Sequence, residues 1–161
     1  MWTPDGRRIA FNSDRDNSPL NLYWQRSDGS GEAQRLTRSQ HSQWPVSWHP
    51  SGKFLAFEEH LVGTSLDKNW DLMILPVEGD EASGWKPGTP TAFLDSPSEE
   101  MQPNFSPDGR WLAYQSNETG RYEVYVRPFR GRGEGWRIST SGGASVMRRP
   151  ATASNSQVSD D

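Results

Sequence analysis

The residues of this chain best suited to chemistry are its clustered acids and its three histidines. The run Asp14-Arg15-Asp16-Asn17 matches the start of a calcium-binding loop, in which oxygen ligands recur at alternate positions. The bidentate acid that such a loop needs further along is absent, so we interpret the run as a solvated turn. His41, His49 and His60 have neither metal-ligand spacing nor a partnering cysteine, and we expect them at the surface or in loops.

Catalytic signatures are also missing. The adjacent acids Glu58-Glu59 and Glu99-Glu100 do not form dyads, because consecutive strand residues point to opposite faces of a sheet. The sequence contains neither the Gly-x-Ser-x-Gly elbow of a hydrolase nor a Gly-x-x-x-x-Gly-Lys phosphate loop. We therefore predict a non-enzymatic protein with no cofactor and no metal. A basic stretch formed by Arg127, Arg130, Arg132 and Arg137 either docks an acidic partner or, as we prefer, is a solvated edge.

Composition excludes several classes of function. The net charge of −4 and the pI near 5.4 argue against a nucleic-acid-binding or anionic-membrane surface. There is no cysteine, no apolar run long enough to cross a bilayer, and no signal-peptide core at the N-terminus. The chain starts inside a repeat, which suggests a fragment or a reading frame that opens within a domain. Composition therefore does not identify the cellular compartment.

The elements that must position these residues come from one pattern that occurs three times, at residues 2–11, 48–57 and 105–114. Each copy begins with an aromatic and a polar residue, followed by Pro-Asp-Gly or Pro-Ser-Gly and a basic residue. The next residue is large and apolar or is Arg, and it is followed by an aliphatic residue, Ala and an aromatic residue. Pro-Asp-Gly is a tight-turn sequence, and the apolar run after it predicts a buried strand. Strand-rich repeats of about 40 to 50 residues are typical of propeller blades.

The predicted fold is therefore all-β: a β-propeller with about three blades of four antiparallel strands. The units span about 1–37, 42–94 and 100–140, and the first lacks its inner strand. Residues 144–161 are divergent, small and polar, and we predict a disordered tail. Residues 78–88 are predicted to be a long connection. Trp2, Trp48 and Phe105 are predicted to pack between blades, whereas Trp44, Trp70, Trp85 and Trp136 are less constrained and become interface candidates where exposed.

These residues resemble the WD-repeat-like propeller repeats of the TolB family. The resemblance covers roughly residues 2–143 and includes Ser-Asp-Arg-Asp, Asn-Leu-Tyr-Trp and Tyr-Glu-Val-Tyr-Val-Arg-Pro-Phe, which look like the version found in bacterial proteins. Some of those proteins carry the propeller after a serine/threonine kinase domain, and the family is often periplasmic or extracytoplasmic. The resemblance implies a ring of six or more blades around a channel. This chain departs from it by holding about three blades.

The function that we expect is a scaffold or sensor that binds a protein or small ligand. Propeller geometry and the resemblance place that ligand at one end of the channel, near Gln43, Trp44, Gln102 and Asn104. The alternatives are the gating propeller of a serine peptidase whose catalytic domain is absent here, and a hydrolase or lyase with its site in the channel. Two chains could also close a six-blade ring as a homodimer. We favour a fragment of a longer propeller, because Arg148-Arg149-Pro150 makes a poor inner strand.

Overall fold

The computed structural model describes residues 1–15, 17, 19–61, 69–94, 96–131 and 133–143. Within these residues the chain forms twelve β-strands and no helix. The predicted tail at 144–161, Arg132 and most of the loop between His60 and Asn69 lie outside the described residues, as does Asp16 of the calcium-like run. No helix in the described part of the chain is long and apolar enough to cross a membrane.

The strands form three antiparallel sheets that follow one another along the chain. Blade 1 contains β1 (Arg8–Ser13), β2 (Asn21–Arg26) and β3 (Gln34–Arg35). Blade 2 contains β4 (Ser42–Trp48), β5 (Phe54–His60), β6 (Trp70–Asp80), β7 (Gly84–Pro87) and β8 (Thr91–Ala92), the last two both paired with β6. Blade 3 contains β9 (Glu100–Phe105), β10 (Trp111–Ser116), β11 (Glu123–Pro128) and β12 (Trp136–Arg137). The all-β prediction is confirmed, and blade 1 begins with an isolated bridge between Trp2 and Ile9 in place of an inner strand.

The three repeated turns have one geometry, as predicted. In each corner a glycine with φ between +69° and +73° donates its N–H to the carbonyl three residues earlier, at 2.9 Å. These glycines are Gly6, Gly52 and Gly109. An oxygen of the preceding side chain, such as Asp108, accepts the N–H two residues further on, at 3.0 Å in this case. Hydrogen bonds from Ser106 and Arg110 hold the pKa of Asp108 well below its usual range.

A hydrophobic core lies between each pair of neighbouring blades. The core between blades 1 and 2 includes Trp24, Trp48 and Phe57, and the core between blades 2 and 3 includes Phe105 and Tyr114. The buried positions predicted for Trp48 and Phe105 are confirmed, since their exposed fractions are 4% and 3%.

The prediction for Trp2 is wrong, because 59% of its surface is exposed. Trp48 is covered by blade 1 and Phe105 by blade 2. The equivalent face of blade 1 has no preceding blade among the described residues, so the same sequence position has nothing to pack against.

The prediction of a long connection at residues 78–88 is also wrong. Strand β6 continues to Asp80 and returns as β7, so that this segment forms a β-hairpin. The hairpin reaches blade 1: both Glu81 carboxylate oxygens accept hydrogen bonds from Arg8, and Trp85 packs edge-on against Trp24 with ring centroids 5.7 Å apart. The Arg8 guanidinium also lies over both indoles, at 5.0 and 5.5 Å. These long-range contacts hold the β6–β7 hairpin against blade 1.

Candidate functional site

The polar residue that follows each repeat reaches towards the next segment of the chain. Asn12 donates to the carbonyl of Gln43 at 3.1 Å, and Gln115 donates to the carbonyl of Gly143 at 2.8 Å. At the equivalent position of blade 2, the Glu58 carboxylate accepts the N–H of Gln102 at 2.6 Å. These side chains tie the second strand of one blade to the segment that follows the blade. They therefore position the inner-strand region where the ligand site is predicted.

Gln43 lies at the seam between blades 1 and 2 and is 2% exposed. Its side-chain amide donates to Glu59 at 2.7 Å, while its carbonyl oxygen accepts the hydroxyl of Thr37. The bond to Glu59 joins two strands of blade 2, and the bond from Thr37 joins the amide to the segment that follows blade 1. Glu59 points to this seam and Glu58 to the opposite one, as expected for consecutive strand residues.

Trp44 lies on the opposite face of β4, beside two other rings. It is the cross-strand partner of Glu58, and His60 is in turn the partner of Trp70, so that all four side chains share the face towards blade 3. The centroid of the Trp44 ring is 5.2 Å from Trp70 and 6.5 Å from His60, and the last two rings are 4.6 Å apart. Each ring is half-buried. We call Trp44, His60 and Trp70 the ring group.

Gln102 and Asn104 lie on β9, the inner strand of blade 3, and both are half-buried. Gln102 has a φ of +52°, a left-handed conformation that costs free energy for a residue with a Cβ atom. Strained backbone of this kind clusters at functional sites. Burial raises the pKa of Glu58, and the hydrogen bond from Gln102 N–H opposes that shift. The structure therefore brings Trp44 and Gln102 together around Glu58.

Two members of this site, Glu58 and His60, were missed by sequence reasoning, and Trp70 was named only as an interface candidate. The available signal was the period of two along Phe54–His60, which puts Ala56, Glu58 and His60 on one face. Sequence reasoning treated Glu58 only as half of an acid pair. It could not find the pairing of Trp70 with His60, because that pairing depends on the register of two strands separated by a loop.

His49 occupies the corner between blades 2 and 3. Its Nδ1 accepts the N–H of Ser51 at 3.1 Å and its Nε2 is 3.0 Å from the carbonyl of Gly109. The imidazole also contacts Phe105 and Phe129, with centroids 5.1 and 5.3 Å away. His49 lies in a loop, as expected, but its ring packs between blades 2 and 3. Among the described residues, no three His, Asp or Glu side chains are grouped to hold a metal ion.

Comparisons with known structures decide the fold. The structure of a putative TolB from Agrobacterium tumefaciens superposes with a TM-score of 0.68 and 23% identity, over 87% of this chain and 45% of that one. TolB from Acinetobacter baumannii matches with a TM-score of 0.58 and 24% identity, over 88% of this chain and 31% of that one. The chain has the TolB-like β-propeller fold. At these identities the TolB structures establish the fold alone.

Sequence relatives of this TolB-like propeller are longer proteins. An uncharacterized peptidase of Bacillus subtilis, YuxL, is 31% identical over 141 residues, which cover 73% of this chain and 21% of that protein. The uncharacterized protein Atu1656 of Agrobacterium fabrum is 24% identical over 123 residues, covering 76% of this chain and 37% of that protein. No protein-family model matches. The chain thus spans between a fifth and two fifths of the length of these two relatives.

Proposed function

We propose that this TolB-like propeller is a non-enzymatic scaffold or sensor module, which binds a protein segment or small ligand beside the inner strands of blades 2 and 3. The observation that carries this proposal is the ring group, three half-buried aromatic rings clustered next to Glu58. Aromatic side chains present large rigid surfaces and are enriched in binding hot spots. The strained backbone at Gln102 supports the same location.

The chemistry of the site favours a ligand with an apolar or cationic group. Indole faces attract cations through the ring quadrupole, and a partly desolvated carboxylate at Glu58 adds to that attraction when it is ionised. Trp44 and Trp70 supply the indoles, and Asn104 lies two residues after Gln102 on β9. Gln43 contributes by holding β4 in place through its bonds to Glu59 and Thr37.

A displayed peptide library tests this proposal. Peptides selected for binding to this chain should bind the Trp44→Ala or Trp70→Ala variant at least about tenfold more weakly, as expected for hot-spot residues. The matched control is Trp136→Ala, a tryptophan on β12 that is 53% exposed and lies outside the ring group. Chemical denaturation of each variant confirms that it is folded. Enriched peptides that bind Trp44→Ala and Trp70→Ala as tightly as the parent chain would refute the location.

The second candidate function is the gating propeller of a serine peptidase, and the similarity to the Bacillus peptidase favours it. A neighbouring coding segment with a Gly-x-Ser-x-Gly elbow would support this candidate. Either function predicts that this chain alone does not hydrolyse peptide or ester substrates. Reproducible turnover that is abolished by mutating a single buried Ser, Asp or His would contradict both.

A further inference from the structure

Blade 3 contains a cavity of about 230 Å³ that shares no residue with the ring group. Its walls include Tyr114, Tyr125, Arg127, Arg137, Thr119 and Glu118, all from blade 3. Most of these side chains end in hydrogen-bond donors. The site is therefore unlike the aromatic site of the proposed function, and it requires a separate explanation.

Strand register is what brings the donors together. Tyr114 of β10 pairs with Tyr125 of β11, which in turn pairs with Arg137 of β12, so the three side chains share one face of the blade. The two phenol rings stack with centroids 5.7 Å apart and an angle of 21° between their planes. Arg127 lies two residues after Tyr125 and so projects from the same face. Gly135 leaves room for it, because a Cβ there would lie 2.4 Å from Arg127 Cγ.

Two of these donors have no acceptor among the described residues. Within the described ranges, the buried Tyr125 hydroxyl and Arg127 Nε make no hydrogen bond, although Tyr125 is only 5% exposed. Buried polar groups in native proteins are nearly always paired, and an orphan donor commonly marks a bound water or ion. The Tyr114 phenol is protonated and able to donate at neutral pH, and burial raises its pKa further, to about 12.

We propose that this cavity binds a small oxyanion, a carboxylate or phosphoryl group. Guanidinium groups match the planar oxygens of such anions and form charge-assisted hydrogen bonds with them. Arg127 and Arg137 provide the positive charge, the tyrosine hydroxyls provide further donors, and Thr119 provides a hydroxyl at the rim. Glu118 offsets one of the two positive charges, so it weakens rather than creates the site.

The basic stretch identified from the sequence is thereby divided in two. Arg127 and Arg137 line the cavity, whereas Arg130 lies outside it and stacks over Phe54 at 4.4 Å. This difference supplies a matched control: Arg130→Gln removes the same charge from the same blade without touching the cavity.

Isothermal titration with sodium phosphate and sodium acetate, at fixed ionic strength set with chloride, tests the proposal. We expect saturable binding of at least one anion. Arg127→Gln should weaken the affinity about tenfold or more, and so should Arg137→Gln, which changes an exposed side chain. Tyr125→Phe should weaken it several-fold, and Glu118→Gln should strengthen it. Arg130→Gln should leave it unchanged. A preference for phosphate or for acetate assigns the natural group as phosphoryl or carboxylate.

Three results would overturn the assignment. The first is no binding of either anion to the parent chain at millimolar concentration. The second is equal weakening by Arg130→Gln and Arg137→Gln, which would show non-specific charge attraction. The third is unchanged affinity in the folded Tyr125→Phe and Arg137→Gln variants. Since none of these residues belongs to the ring group, each result leaves the proposed function standing.

Discussion

The packing of His49 between blades 2 and 3 can be tested by adding one methyl group at Gly109. Gly6, Gly52 and Gly109 occupy equivalent corners with φ of +69°, +72° and +73°. An alanine at any of them incurs the same backbone strain, about 1 to 2 kcal/mol. A Cβ at Gly6 or Gly52 would meet nothing within 4 Å, whereas one at Gly109 would lie 2.2 Å from His49 Nε2. Only Gly109→Ala therefore forces His49 to move.

The cost of moving His49 follows from its contacts. Its hydrogen bond to the Gly109 carbonyl is worth about 1 kcal/mol. Its edge contact with Phe105 and its tilted contact with Phe129 contribute about 0.5 to 1.5 kcal/mol each. We therefore expect Gly109→Ala to lower the free energy of unfolding by about 3 to 6 kcal/mol, including the strain. Gly52→Ala should lower it by about 1 to 2 kcal/mol, the strain alone.

Urea denaturation of the single and double variants is the assay. In a His49→Ala background the steric contact is gone, so the penalty of Gly109→Ala should fall to that of Gly52→Ala. The reasoning fails if Gly109→Ala costs no more than Gly52→Ala in the parent chain. It also fails if the penalty of Gly109→Ala is the same with and without His49.

Three further predictions concern packing, ionisation and assembly. Phe105→Ala should cost about 3 to 5 kcal/mol by leaving a cavity between blades; a loss below about 1 kcal/mol in denaturation would mark a surface residue. Burial raises the folded pKa of Glu58, so the unfolding free energy should fall as pH rises through and above its ordinary value. Glu58→Gln keeps an acceptor for Gln102 and should flatten that slope above the ordinary glutamate pKa, and parallel profiles would contradict this. If two chains close one ring, light scattering should show a dimer that deletion of residues 144–161 abolishes; a stable folded monomer at all concentrations excludes closure.

Local patterns were sufficient to predict the corners and the strands beside them. Pro, Gly and a capping Asp or Ser act over four or five residues, so the turn at Ser106–Gly109 needs no distant partner. The spacing of the copies then predicted propeller blades, because each copy starts the same strand pair. The alternation along Phe54–His60 likewise settled that Glu58 and Glu59 face different seams.

Only the tertiary structure decided which of these positions acquire neighbours. Trp2 and Trp48 have equivalent sequence environments, yet only Trp48 is covered, because burial depends on the adjoining blade and not on the repeat. The ring group and the Tyr114–Tyr125–Arg137 face depend on strand register, which decides which residues pair across each loop. Composition and periodicity indicate what a strand can bury, whereas register and blade packing determine which side chains meet, and so where a ligand can bind.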